Sequence, residues 1–270
     1  MNSAKVILAG AGPGDPELIS LKALRYLKTA DIILIDRLVS PELIELYVNK
    51  TTKVIYVGKQ CSKGIHTPQQ EINELMVSYA KLGMTVLRLK GGDVSIFSNI
   101  LDELRVLKEN GIKYEIIPGI SAALGAAAYS AIPLTSRGYS RAVRFLTLFD
   151  TFSIEQDTWR DWAKTEDTLV FYMSGQKLKY LVEALLSQEI ASEKGIAIIQ
   201  QASTIYQKTT VYSFKDIMEK ELIAFEYVPT LFIVGKVVEL HEQFAWKEEI
   251  KEGEYYSYFD NHIKEFQYAI

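Results

Sequence analysis

The chain has 270 residues, 48% of them hydrophobic and 24% charged, with a formal net charge of −4 and a pI near 5.6. That composition suits a folded protein with a substantial core, in one large domain or two of moderate size. The acidic balance argues against nucleic acid as a main partner, because neutralising phosphates takes a basic face. No charged leader precedes a long apolar run, and no eighteen apolar residues stand together, so neither signal peptide nor membrane span is indicated and the cytoplasm is the expected location. Cys61 alone cannot form an internal disulfide, and histidines 66, 241 and 262 lack metal-ligand spacing, so no metal is expected.

Taken in chain order, KVILAG (5–10) reads as a first strand and ELISLKALRYLKTA (17–30) as an amphipathic helix. DIILID, PELIELYVN, KVIYVG, PQQEINELMVSYAKLG, MTVLRLKG, NILDELRVLKENG and YEIIP continue the same alternation of short β-rich and longer amphipathic runs. This predicts an α/β fold with a mostly parallel sheet in the N-terminal lobe. The texture changes to small residues at IPGISAALGAAAYSAIPLTS (117–136), where a helix near 121–131 reads as the hinge between two lobes. Beyond it VRFLTLF, TLVFYM, GIAIIQQ, KTTVYSF and TLFIVGKVV read as strands, with helices near 155–163, 176–188 and 214–222. KTTVYSF follows GIAIIQQ so closely that an antiparallel element, hence a mixed sheet, is expected in the C-terminal lobe. The lobes are placed at 1–117 and 118–243, followed by a tail at 244–270 that is aromatic and charged. Packing on its own subunit, joining a dimer interface and remaining loose all stay open for that tail.

Two glycine loops carry the first functional signal. LAGAGPGD (8–15) follows the first strand like the start of a dinucleotide fingerprint, but Asp15 stands where the third glycine belongs. Asp36, at the end of the second strand, has the spacing of a ribose ligand, so NAD is demoted rather than excluded. VLRLKGGDVSIF places Gly91, Gly92 and Asp93 after another apolar strand. Ligands of open α/β sheets settle at the carboxyl ends of strands, so the two loops can wall one crevice in which a flat adenosine lies against bare backbone. Asp93 offers acceptors for a hydroxyl or an ammonium group. Each loop alone is also an ordinary tight turn.

In order, the chain carries VILAGAGPGDPELISLKALRYLKTADIILIDRLV, VGKQCSKGIHTPQQEIN, VLRLKGGD, IPGISAALGAAAYSAIPLT, LVFYM and PTLFIVGKVV. Together these resemble uroporphyrinogen-III C-methyltransferase, of the tetrapyrrole methylase family. The resemblance implies a homodimer of two-lobed α/β subunits that binds S-adenosyl-L-methionine (SAM) in the cleft between lobes and releases S-adenosyl-L-homocysteine. Carried over by position, the implied SAM contacts are Pro13, Gly91, Gly92, Asp93, Ile96, Ser121, Ala122, Met173 and Ala202, where the family usually has glycine at the last. For Ile96 and Met173 taken alone, core packing is the better reading. Asp36 matches the family's proton acceptor and Lys59 its proton donor, in methyl transfer to pyrrole carbons that yields precorrin-2 for sirohaem or cobalamin synthesis. An ordinary strand-end ion pair is the plain alternative for those two.

The implied substrate is a polycarboxylate, so an acidic chain must concentrate cations in its cleft. Arg37, Arg137 and Arg141 are the candidates for binding this anionic tetrapyrrole, with Lys90 and Arg144 among the further cations near the glycine stretches. The resemblance weakens after Gly-Gly-Asp, where VSIFSNILDEL replaces the family's Pro-Phe-Ile-Phe-Gly-Arg-Gly-Gly, and at Ser136, Gly138, Leu148 and Phe149. These departures leave two alternatives beside uroporphyrinogen methylation: another precorrin or modified tetrapyrrole as acceptor, or a noncatalytic SAM- or tetrapyrrole-binding homologue.

Overall fold

The structure is a computed structural model that describes residues 5–58, 67–148, 154–173, 175–214, 216–219 and 228–248. The described residues fall into two compact units that divide between Ala122 and Ala123.

In the first unit, β1 (Lys5–Gly10), β2 (Ile32–Ile35), β3 (Lys53–Tyr56), β4 (Val86–Lys90) and β5 (Lys113–Ile117) form a five-stranded sheet in the order β3-β2-β4-β1-β5. All four strand pairs are parallel. Helices α1 (Leu21–Thr29) and α2 (Pro41–Tyr47) cover one face, where Ala23, Leu27, Leu43 and Ile44 pack on Ile7, Ala9, Ile33, Ile35, Leu87 and Leu89. Helices α3 (Gln69–Lys81) and α4 (Ile100–Glu109) cover the other, with Ile72, Met76 and Leu107 on Val6, Leu8, Ile32, Leu34 and Val86. Burial on both faces is why β1 and β2 read as near-continuous apolar runs. The chain leaves β1 toward β2 on one side and leaves β4 toward β5 on the other, so the neighbours β1 and β4 flank the topological switch point of the sheet.

The helix expected over 17–30 is two pieces. The Asp15 side chain accepts a hydrogen bond from the Glu17 amide at 2.8 Å and starts a single 3-10 turn, Pro16–Leu18. Ile19 is extended, and α1 begins after Ser20, whose hydroxyl accepts from the Ala23 amide at 3.3 Å.

The second unit runs from α5 (Ala122–Tyr129), which starts at the division, through β6 (Val143–Thr147), α6 (Gln156–Lys164), β7 (Thr168–Tyr172), α7 (Leu178–Ser187), β8 (Gly195–Gln200) and β9 (Lys208–Ser213). It ends with α8 (Asp216–Glu219), β10 (Thr230–Gly235) and α9 (Leu240–Phe244). Its sheet has the order β6-β7-β10-β8-β9. β6 and β7 are parallel, whereas β10 is antiparallel to both β7 and β8, and β8 is antiparallel to β9. β6, β7 and β8 therefore point the same way and end at one edge of this mixed sheet. The core joins Trp159 and Trp162 of α6, edge to face at 4.9 Å, to Phe171 of β7 and to Leu181 and Leu185 of α7. The last strand stops at Gly235, short of the expected 238, because Lys236–Glu239 winds into a 3-10 turn that buries both Val237 and Val238.

Candidate active site

The carboxyl ends of three strands in the first unit are made of glycine. β1 runs into Gly10, Gly12 and Gly14, β4 into Gly91 and Gly92, and β5 into Gly119. Gly12 and Gly92 form an isolated bridge, the Gly92 amide donating to the Gly12 carbonyl at 2.7 Å and the Gly12 amide returning a bond at 3.2 Å. A Cβ on Gly10 would stand 2.5 Å from the Gly92 carbonyl oxygen and 2.7 Å from the Gly119 Cα, so the loops touch backbone to backbone. Gly12 and Gly92 also hold φ of +86° and +67°, the left-handed region that favours glycine. The loop after β2 closes the row: a Cβ on Gly91 would lie 2.8 Å from the Leu38 carbonyl oxygen.

Asp93 ties this cluster together. It is 9% exposed, its Oδ2 accepts from the Gly119 amide at 2.8 Å, and its Oδ1 accepts from the Ser95 amide at 2.8 Å and from the Ser95 hydroxyl. The carboxylate thus fixes the β4 loop to the β5 loop, and the acceptor capacity the sequence suggests for a ligand is mostly spent on this. Pro13 is buried in the first loop, Ile96 and Ala122 are half-buried and Ser121 is buried. A Cβ on Gly92 would meet the Ala122 nitrogen at 3.5 Å, so the second glycine loop and the start of α5 are neighbours. A dinucleotide loop runs straight into a helix whose N-terminus meets the pyrophosphate. Here the residues from Asp15 to Ser20 intervene before α1, which removes that support for NAD.

Beneath the glycines lies a row of charges. Asp36, at the end of β2, accepts from Nη2 of Arg88 at 2.7 Å. Arg88 is 2% exposed and donates from Nε to Oε1 of Glu103 at 2.9 Å, and Nζ of Lys90 reaches Oε2 of the same glutamate at 3.0 Å. The register explains the row. Leu34 pairs with Arg88, so Asp36, Arg88 and Lys90 all project toward the face covered by α4, which carries Glu103. Burial pulls the Arg88 guanidinium down, but the charges of Asp36 and Glu103 more than offset it and hold the group above its ordinary value.

In the second unit Met173 follows β7 and Ala202 follows β8, at the shared edge of that sheet. Met173 is 53% exposed with φ of +53°, so it is not the core residue that its chemistry alone suggests. Ala202 is buried between Gln201 and Ser203, whose φ values are +48° and +61°. The Ser203 amide donates to Oε1 of Gln207 at 2.6 Å and the Gln201 amide to the Pro229 carbonyl at 2.8 Å, which pins the turn. Left-handed backbone at residues other than glycine costs of order 1–3 kcal/mol and concentrates at functional sites.

A family model described as Tetrapyrrole (Corrin/Porphyrin) Methylases matches residues 5–217. The chain belongs to the tetrapyrrole methylases. A siroheme synthase of Vesicomyosocius okutanii subsp. Calyptogena okutanii (strain HA) is 41% identical over 244 residues, covering 89% of this chain and 51% of the relative. A siroheme synthase of Nitrosospira multiformis is 42% identical over 245 residues, with 90% and 51% covered. The chain thus spans about half the length of the curated relatives it matches. Among solved structures, uroporphyrin-III-C-methyltransferase from Thermus thermophilus superposes with a TM-score of 0.74 at 31% identity, covering 91% of this chain and 98% of that one. Uroporphyrin-III C-methyl transferase from the same organism, complexed with S-adenyl homocysteine, gives 0.72 at 31%, with 87% and 99% covered. A cobalt precorrin-4 methyltransferase, at 24% identity and a TM-score of 0.75, shares the fold.

Within this tetrapyrrole methylase the basic candidates divide. Arg37 is half-buried next to Asp36, while Arg137 and Arg141 are exposed on and beside the turn closed by the Ser136–Ser140 bridge. Arg144 is held by Asp161, by Asp167 at 2.6 Å and by the Thr165 hydroxyl at 3.0 Å, and Lys90 by Glu103, so these two cations serve internal pairs. Lys59 and Phe149 lie outside the described residues, as does the tail from 249. Gly119 in the glycine cluster, and Arg88 and Glu103 buried beneath it, are residues that the sequence does not single out. The usable signal was an arginine inside an apolar central strand, VLRLK, which demands a buried partner. Among the described residues no cluster of His, Cys, Asp or Glu is placed to hold a metal ion, and no helix is long and apolar enough to cross a membrane.

Proposed function

We propose that this chain transfers methyl groups from SAM to ring carbons of uroporphyrinogen III, giving precorrin-2. The observation that carries the reading is the glycine cluster at the switch point of the first sheet, with the Asp36 carboxylate on the adjoining strand end. The cluster fits SAM: bare backbone at Gly91 and Gly92 suits a flat adenosine, and Asp93 keeps the two loops in register beside Ser121 and Ala122. The SAM contacts proposed by position are Pro13, Gly91, Gly92, Asp93, Ile96, Ser121 and Ala122 in the first unit, and Met173 and Ala202 in the second.

A sulfonium supplies an already activated methyl group, so the protein has mainly to align the reactants, keep water away and manage a proton. The ring carbon provides the electron pair of the new carbon–carbon bond, the carbon–sulfur pair stays on sulfur, and the ring then gives up a proton. Asp36 is the proposed acceptor of that proton, since 29% of its side chain reaches solvent at the rim while one oxygen is anchored on Arg88. Lys59 is the proposed donor, and Arg37, Arg137 and Arg141 are the proposed carboxylate partners of the substrate. A homodimer and a cytoplasmic location belong to the same reading.

The test is incubation with methyl-labelled SAM and freshly reduced uroporphyrinogen III. Label in the macrocycle and formation of precorrin-2 are expected. No label, beside a working C-methyltransferase control, overturns the reading. Transfer only to later precorrins assigns a different acceptor, and SAM binding without transfer to any tetrapyrrole makes the chain a noncatalytic binder.

A further inference from the structure

The charge row under the glycine cluster is open at one end only. Arg88, Lys90 and Glu103 are 2%, 3% and 0% exposed, whereas the Asp36 side chain is 29% exposed. The guanidinium is held at every nitrogen: Nε on Glu103, Nη2 on Asp36, and Nη1 leaning on the carbonyls of Leu34 and Leu89 at 3.5 and 3.4 Å. Two cations and two carboxylates balance, so the row is neutral as a whole.

Such a row is a weak device for stability. Removing ions from water costs several kcal/mol each, and well-packed apolar side chains of similar volume often serve as well or better. A row built as cement would also close both ends. This one ends on a single carboxylate that is clamped through Oδ1 yet keeps 29% of its side chain exposed, at the start of the loop whose Leu38 lies against Gly91. A planar fork, fixed on its far side by a buried carboxylate, sets both the position and the rotation of the group it clamps.

We infer that Arg88 is a positioning residue for Asp36, and that Glu103, itself held by Lys90, is the frame that keeps the guanidinium in place. The inference rests on Asp36 being the proton acceptor of the proposed reaction. Arg88 touches no substrate; it acts through the carboxylate it orients.

The experiment compares single-turnover methyl transfer, tetrapyrrole KM and S-adenosylhomocysteine affinity in wild type, Arg88→Met, Arg88→Lys, Asp36→Asn and the doubles of each arginine variant with Asp36→Asn. Misplacing a reacting group by about 1 Å can cost of order 100-fold in rate. Arg88→Met is expected to slow transfer by about 10- to 100-fold while KM and S-adenosylhomocysteine affinity stay within about twofold, the pattern of an interaction used only in the transition state. In the Asp36→Asn background the same change is expected to cost less than about threefold, since residues acting as one unit are not additive. Arg88→Lys preserves the charge between Asp36 and Glu103 but not the fork; it covers the case in which Arg88→Met does not fold, and a loss of about tenfold is expected. Arg88→Lys at the wild-type rate, product affinity falling in parallel with rate, or an equal further loss in the Asp36→Asn background each overturns the inference. A wild type that transfers no methyl overturns the functional reading and this inference together, and is distinguished by appearing before any variant is compared.

Discussion

Gly119 faces the Gly92 carbonyl so closely that a Cβ on Gly119 would lie 2.3 Å from that oxygen. The obstacle is backbone, so a side chain at 119 cannot be absorbed by a rotamer change; the β5 loop itself must move off the β4 loop. That movement also draws the Gly119 amide away from Asp93, the bond that keeps the two loops in register. Gly119→Ala is therefore expected to cost about 1–3 kcal/mol, the range of overpacked sites, and to weaken S-adenosylhomocysteine binding at least about tenfold. Gly111→Ala is the control. It has open space around it but φ of +64°, so it is expected to lose about 1 kcal/mol from backbone strain and no affinity. Calorimetric titration beside thermal melts checks both; equal affinities in the two variants would show that the glycine contact does not shape the ligand surface.

Met173 separates packing from binding in the second unit. Replacing a core methionine by alanine costs about 2–5 kcal/mol, but at 53% exposure Met173 has little packing to lose, and alanine at φ of +53° carries the same backbone strain. Met173→Ala is expected to melt within about 1–2 °C of wild type. As a proposed SAM contact its loss is expected to weaken S-adenosylhomocysteine binding by about 3- to 10-fold, the worth of a thioether and its apolar contacts. Unchanged affinity would remove Met173 from the site.

What the sequence makes legible follows from range. Strand and helix periods are local, so the parallel alternation through YEIIP and the antiparallel return at KTTVYSF are readable without partners. Asp15 is readable as a misfit for a dinucleotide loop, yet its work as the cap of a 3-10 turn appears only with the Glu17 amide beside it. Arg88 and Lys90 alternate with leucines in VLRLK, a pattern that ordinarily marks a strand with one wet face; here that face is covered by α4, and the acid that permits the burial, Glu103, sits on another element. Gly119 escapes for the same reason: its crowding comes from Gly10 and Gly92, and neither lies near it in sequence. Arg144 reads as a ligand cation only until Asp161 and Asp167 are seen to hold it.

Glu115 gives the first unit an acid-sensitive joint. On β5 it accepts from the Tyr26 hydroxyl of α1 at 2.7 Å and from Nζ of Lys5 on β1 at 3.0 Å, and it pairs with Lys22. Hydrogen bonds from Lys22, then Tyr26, then Lys5 lower its pKa from the ordinary 4.5 to about 2. A carboxylate whose folded pKa lies below its unfolded value stabilises the fold fully above the unfolded pKa, and that contribution drains away as pH falls from 4.5 toward 2. The group is near the surface, so screening holds the contribution to about 1 kcal/mol or less. Glu115→Gln is expected to be less stable than wild type by that amount at pH 7, and the gap is expected to shrink as the pH falls toward 2, where the unfolded chain's carboxyl is fully protonated and the folded one begins to follow. Urea unfolding followed by circular dichroism at pH 7 and at pH 2.5 checks this. Raising the salt concentration at pH 7 should narrow the gap as well, and a gap indifferent to both pH and salt would mean that Glu115 joins the three elements by packing alone.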